Sequence, residues 1–137
     1  MAKTTATLNI LNDITETGFS FSDTSTLFKA GNETGLDTVI SATKTFTSTS
    51  AVNLVVVAGF TAEAANKVYI ANTGDSSTEF FTIGIESEEV GRLYGGDWMF
   101  IPWDANTSDD ITITPSVATA LTVEYMTMHE GLTPVSA

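Results

Sequence analysis

From Lys67 to Trp103 the chain reads KVYIANTGDSSTEFFTIGIESEEVGRLYGGDWMFIPW, and apolar residues fall on every second position. Val68 and Ile70 alternate with Tyr69 and Ala71, a polar break covers Asn72 to Asp75, and Phe81, Ile83 and Ile85 resume the same period. Successive side chains of a strand point to opposite faces, so this period is that of strands with one face on a core. The stretch predicts four strands: a hairpin closed by Asn72 to Asp75, a third strand from Val90 to Tyr94, and a fourth from Trp98 to Trp103 after a tight turn at Gly95-Gly96-Asp97. Four strands in one run predict one sheet.

The flanks carry the same period less regularly. Thr4 to Ile10 alternates loosely and Leu11 to Ser25 weakens into polar residues dotted with Phe19 and Phe21, which predicts an edge strand, a short strand and an extended arm over residues 1–25. Leu27 and Phe28 are candidate anchors for that arm, and residues 26–137 form the predicted body. Ala30 to Leu36 predicts a loop. Asp37 to Phe46 predicts a strand with Ile40, Ala42, Lys44 and Phe46 on one face. Ala51 to Phe60 (AVNLVVVAGF) is almost continuously apolar and β-branched, which predicts the most buried strand. Thr61 to Asn66 is long enough for one turn of helix at most. Asp104 to Asp109 predicts a polar loop, Ile111 to Ile113 a strand stopped by Pro115, which has no amide hydrogen for a ladder, and Thr119 onward a last strand with Leu121, Val123 and Tyr125 inward. Gly131 to Ala137 predicts a tail. Eight to ten short strands without a long helix predict an all-β chain, a β-sandwich with jelly-roll topology and an N-terminal extended arm.

Composition sharpens this picture. At 137 residues there is room for one core, and only 16% of residues are charged, the polar complement being largely threonine, which suits a half-buried pleated surface. Seventeen carboxylates against five basic residues give a net charge of −12, with Arg92 the only arginine. That balance repels phosphate backbones and anionic lipid alike, so direct nucleic-acid or membrane binding is not expected. No apolar run approaches the roughly 20 residues of a membrane span, and Met1 to Thr5 leads into alternating polar residues, which predicts a chain made and kept in a soluble compartment. Without cysteine, neither disulfides nor thiolate metal sites are available.

The residues that carry chemistry are few. His129, beside Glu130, is the sole histidine, and no serine stands in a nucleophile context, so a structural role is expected for it. Gly95-Gly96-Asp97 ahead of Ile101-Pro102 is similar to the glycine-and-proline punctuation of cupin metal sites, but those need clustered histidines. Asp104, Asp109 and Asp110, with Asn106 between them, supply oxygens for a cation without the spacing of a calcium loop. Tyr94, Trp98 and Trp103 beside Asp97 and Asp104 are a candidate sugar-stacking platform, although large aromatics in strands more often serve a core or an interface. The sequons Asn32-Glu33-Thr34 and Asn106-Thr107-Ser108 carry no weight without a secretion signal. No catalytic, cofactor-binding or metal residue is assigned, and no cofactor is expected.

The succession VYIANTG, then STEFFTIGIESEEVGRLYGGDWMFIPW, then DDITITPSVATALTVEYMTMHE resembles small virion structural proteins of tailed bacteriophages, particularly capsid decoration or cement proteins. The likeness covers Asp37 to Glu130, and the start MAKTTATLNI is similar in style to the threonine-rich arms of such proteins. The resemblance implies a non-enzymatic protein on the outer capsid surface, made in the host cytoplasm, often a homotrimer, that binds and stabilises the shell of major capsid protein. Leu8, Ile10, Phe19, Phe21, Trp98, Phe100 and Trp103 are the candidate interface residues. A tail, neck or fibre component with the same body is an alternative reading, and a glycan-binding module a second one.

Overall fold

A computed structural model describes residues 4–12, 19–31, 36 and 38–130. All regular secondary structure among these residues is β: β1 (Thr4–Asn12), β2 (Phe19–Leu27), β3 (Thr38–Phe46), β4 (Val52–Val55), β5 (Asn66–Asn72), β6 (Phe80–Ile85), β7 (Glu88–Tyr94), β8 (Trp98–Trp103), β9 (Ile111–Pro115) and β10 (Leu121–His129). The tail expected at Gly131 to Ala137, the sequon at Asn32 and most of the loop expected at Ala30 to Leu36 lie outside the described residues.

β1 and β2 pair antiparallel with each other alone, from Thr4↔Leu27 to Asn12↔Phe19. The other eight strands form two antiparallel sheets, ordered β3-β10-β5-β8 and β4-β9-β6-β7. Every pairing nests inside the one before it: β3 with β10, β4 with β9, β5 with β8, β6 with β7. A chain doubled back on itself in this way and then rolled, so that β10 also meets β5 and β9 also meets β6, is a jelly-roll sandwich.

The alternation read from the sequence sets the core. Leu121 and Val123 of β10, Val68 and Ile70 of β5, Phe81 and Ile83 of β6, and Ile111 and Ile113 of β9 are buried between the sheets. Phe46 of β3 meets Phe81 of β6 edge-on across the layers, ring centroids 5.6 Å apart. Tyr125 packs against this core as expected, while Met126 and Met128 take the outer face of the same sheet.

Three expectations are corrected. The run from Lys67 to Trp103 is divided between the two sheets, β5 and β8 in one and β6 and β7 in the other, so Asn72 to Asp75 begins a crossing between layers and closes no hairpin. Asn72 is buried there: its Nδ2 donates to the Leu93 carbonyl and its Oδ1 accepts from the Gly74 amide, both at 2.9 Å. The tight hairpin of the region is β6–β7, turning on Glu86-Ser87, both with positive φ (51° and 66°), a geometry whose usual Asn-Gly signal is missing. Ala51 to Phe60 supplies only a four-residue edge strand with Val56 exposed, because the ladder shifts register after Asn53 and the Val57 amide turns to the Asp110 carboxylate at 2.8 Å. β5 and β9 are the better-buried strands. Pro115 is itself the last, buried residue of β9, opposite Phe81, where the end of the ladder tolerates a missing amide. Thr61 to Asn66 contains no helical turn, within the limit of one turn set by its length.

The Gly95-Gly96 turn carries the chain between layers. The Gly95 amide donates to Ser76 O at 3.0 Å, and a Cβ on Gly95 would stand 2.5 Å from Ser76 N. Gly96 has φ +87°, so both positions require glycine for separate reasons.

Candidate functional site

The β1–β2 pair has an apolar face and a hydroxyl face. Cross-strand partners share a face, which puts Thr4 with Leu27, Ala6 with Ser25, Leu8 with Asp23 and Ile10 with Phe21 on one side. Thr7 and Thr24 are hydrogen-bonded at 2.9 Å on the other. The apolar face turns toward the outer face of the β3-β10-β5-β8 sheet. At its root it closes: Leu27, 6% exposed, packs with Leu36 and Met128, Ala6 lies against them, and Thr4 Oγ1 donates to the Leu36 carbonyl at 3.2 Å. Ala30 N, just past β2, donates to Glu130 Oε1 at 2.6 Å. Toward the tip the pair lifts away, with Leu8 37% and Ile10 45% exposed.

Register also assembles the opposing wall. Residues 69 and 71 of β5, 98 and 100 of β8, and 126 and 128 of β10 all point outward, because Tyr69 stands opposite both Phe100 and Met126. Trp98 and Tyr69 rings are 6.2 Å apart. Between this wall and Leu8 and Phe21 of the β1–β2 pair runs an apolar groove of about 690 Å³. Asp23 is the one carboxylate on its lining.

Of the interface residues expected from the sequence, Leu8, Phe21, Trp98 and Phe100 therefore meet in one place, and Ile10 continues the same face. The side chain of Phe19 lies outside the described residues. Trp103 belongs elsewhere: at 3% exposed, against 51% for Trp98, it faces the core, stacks edge-on with Phe60 and donates from Nε1 to the Asp109 carbonyl at 2.9 Å. Parity along β8 explains the split, since 98 and 100 fall on one face and 103, three residues on, falls on the other. The sugar platform drawn from Tyr94, Trp98 and Trp103 loses its buried member, and Tyr94 packs on Phe80 with centroids 5.0 Å apart. Sequence reading did not single out Tyr69, Met126 and Met128 as lining residues. Their outward parity was visible, but which face another piece of chain would overhang was not.

The acidic loop is a carboxylate cluster held by backbone. Asp104 accepts from Asn106 Nδ2 at 3.2 Å, Asp110 from the Val57 amide, and the Asp109 amide is bonded to Asn106 O at 2.9 Å. Partial burial, then hydrogen bonding to and repulsion by Asp104 and Glu86, push the Asp109 carboxyl up to about 6. Among the described residues no group of three or more histidine, aspartate or glutamate side chains has the geometry to hold a metal ion.

His129 is buried against the Phe60 ring at 4.6 Å. A carbonyl can only accept, so Nδ1, 3.0 Å from Glu130 O, is the donor of that bond. Nε2 then faces inward with no partner, as do Asn66 Oδ1 and Thr127 Oγ1. Among the described residues the one hydrogen bond of this ring is that to the Glu130 carbonyl.

No protein-family model, no curated protein and no solved structure matches this chain.

Proposed function

We propose that this chain is a virion structural protein of a tailed bacteriophage, a capsid decoration protein that seats on the shell of major capsid protein and stabilises it. The observation that carries the reading is the apolar groove: Leu8, Phe21, Tyr69, Trp98, Phe100 and Met126 are gathered on the surface of an acidic chain whose core is already complete without them. Apolar side chains collected at one place on a surface mark a site for another protein. The resemblance of the stretch from Asp37 to Glu130 to decoration proteins supplies the partner, the position on the outer capsid and the expectation of a homotrimer.

In this reading the β1–β2 pair and the sheet beneath it grip a segment of the capsid subunit, while the acidic remainder keeps the protein soluble before docking and away from packaged DNA. The test is stoichiometry in purified particles followed by removal of the protein. Hundreds of copies per particle, and stripped particles that lose heat resistance, support the proposal. A dozen copies or fewer would move the protein to the tail or neck, and stripped heads as stable as intact ones would end the stabilising role.

A further inference from the structure

A sandwich of two four-stranded sheets has four edge strands, here β3 and β8 in one sheet and β4 and β7 in the other. Two are poor templates for further pairing. β4 is four residues long and irregular in register, and β8 contains Pro102, which has no amide to donate. The other two are long: β3 runs nine residues and β7 seven.

These two edges lie on opposite sides of the sandwich and differ in charge. β3 passes to β4 through residues 47–51, so that side is built from one continuous stretch, and residues 38–62 contain no carboxylate in a chain of net charge −12. Lys44 is its one charge, and Val39, Ile40 and Val56 of the same stretch are exposed. Glu124 stands one strand in, opposite Thr43, and the Asp110 carboxylate is held by the Val57 amide. The far side presents Glu88 and Glu89 on β7 and Asp97 in the β7–β8 turn, against Arg92 alone, with Val90 exposed between them. Arg92 is 3.8 Å from Glu89 and lies over the Phe80 ring.

We propose that copies of this chain associate head to tail, the β3 edge of one adding to the β7 edge of the next, with Lys44 on the same face as one of the two adjacent glutamates, Glu88 or Glu89, and the valines of both edges covered. The occupant of each edge is a second copy because the two sides are complementary in charge, whereas β7 against β7 would set glutamate against glutamate. Edge backbone groups supply the ladder, and the charges set which edges meet. A contact between unlike surfaces closes into a ring or continues as a chain, according to its rotation. The inference does not rest on the capsid reading, since it concerns the isolated protein.

The test is sedimentation of the full chain, at low and high salt, with two variants. Lys44→Glu alone and Glu88→Lys/Glu89→Lys alone each sediment as monomers, with the circular dichroism spectrum of the parent showing that the exposed changes leave the fold intact. Mixing the two variants restores assembly, because each now offers the edge the other lacks, and salt weakens assembly of the parent. A parent that stays monomeric at the highest soluble concentration overturns the proposal and leaves Lys44 and the glutamates as guards against pairing. Lys44→Glu disrupting assembly while Glu88→Lys/Glu89→Lys does not also overturns it, since that is the result for two β3 edges meeting each other. So does a mixture that fails to reassociate.

Discussion

β2 and β10 are both nine residues long and both interleave hydroxyl residues with large apolar side chains, yet they end in different surroundings. β10 lies between β3 and β5 with β9 and β6 across the layer, and Leu121 and Val123 vanish into the core. β2 has β1 on one side and its apolar face overhangs a groove, so Phe21 stays exposed although it obeys the same two-residue rule. An isolated two-stranded ribbon is marginal in water, so the described contacts that hold this one are those at Leu27, Leu36, Met128 and Thr4. Alternation sorts side chains between faces. Burial requires a second layer, and where none is supplied the apolar face remains available to another protein.

The strongest way to break the comparison is in the core. Phe81→Ala removes a fully buried ring that meets Phe46 across the layers and should cost about 3–5 kcal/mol in denaturant unfolding. Leu8→Ser and Phe21→Ser on the ribbon should move the midpoint by less than about 0.5 kcal/mol. Equal losses at both places would mean that the ribbon is part of the cooperative core.

Next in size is Gly95→Ala, whose methyl would collide with the backbone at Ser76 and cost about 1–3 kcal/mol. Asn72→Ala belongs beside it at about 1–3 kcal/mol, because the buried Leu93 carbonyl loses a donor. Trp98→Ser sharpens the contrast from the outside: thermal stability should hardly change, while on the proposed decoration role binding to stripped capsids, measured by co-sedimentation, should fall.

The smallest effect is a pH dependence. With the Asp109 pKa at about 6 in the folded chain, above the ordinary 3.8, the folded state holds a proton the unfolded state has released between those values. Asp109 therefore opposes folding above pH 6, and the penalty fades as pH falls toward 4. Asp109→Asn should raise the melting temperature at pH 7 to 8 and lose that advantage near pH 4. An advantage independent of pH would rule out the ionised carboxylate as its source.

Much of the fold was legible because the period of two is local. Val68, Ile70, Phe81, Ile83, Leu121 and Val123 fall on one face of the alternation before any sheet is known, and Trp98 and Phe100 stand as core or interface candidates. What failed was everything that depends on a third dimension. Asn72 to Asp75 looks like a hairpin turn because turn residues say that the chain changes direction, and not whether it returns in the same sheet. Ala51 to Phe60 looked central because apolar content cannot report that Asp110 draws Val57 out of the ladder. Trp103 was grouped with Trp98 and Phe100 by composition, though its odd spacing from them already placed it on the other face. The groove itself was hidden, since half of it belongs to a ribbon joined to the sandwich by packing at one end.

The nested order of pairing also bears on how the chain comes off the ribosome. β10 is the last of the described strands along the chain and yet sits in the interior of its sheet, between β3 and β5, so neither neighbour completes its ladder until residues 121–129 have emerged. Contacts so distant in sequence make for slow closure, and a nascent or truncated chain ending before Leu121 leaves two strands with an unfilled gap between them.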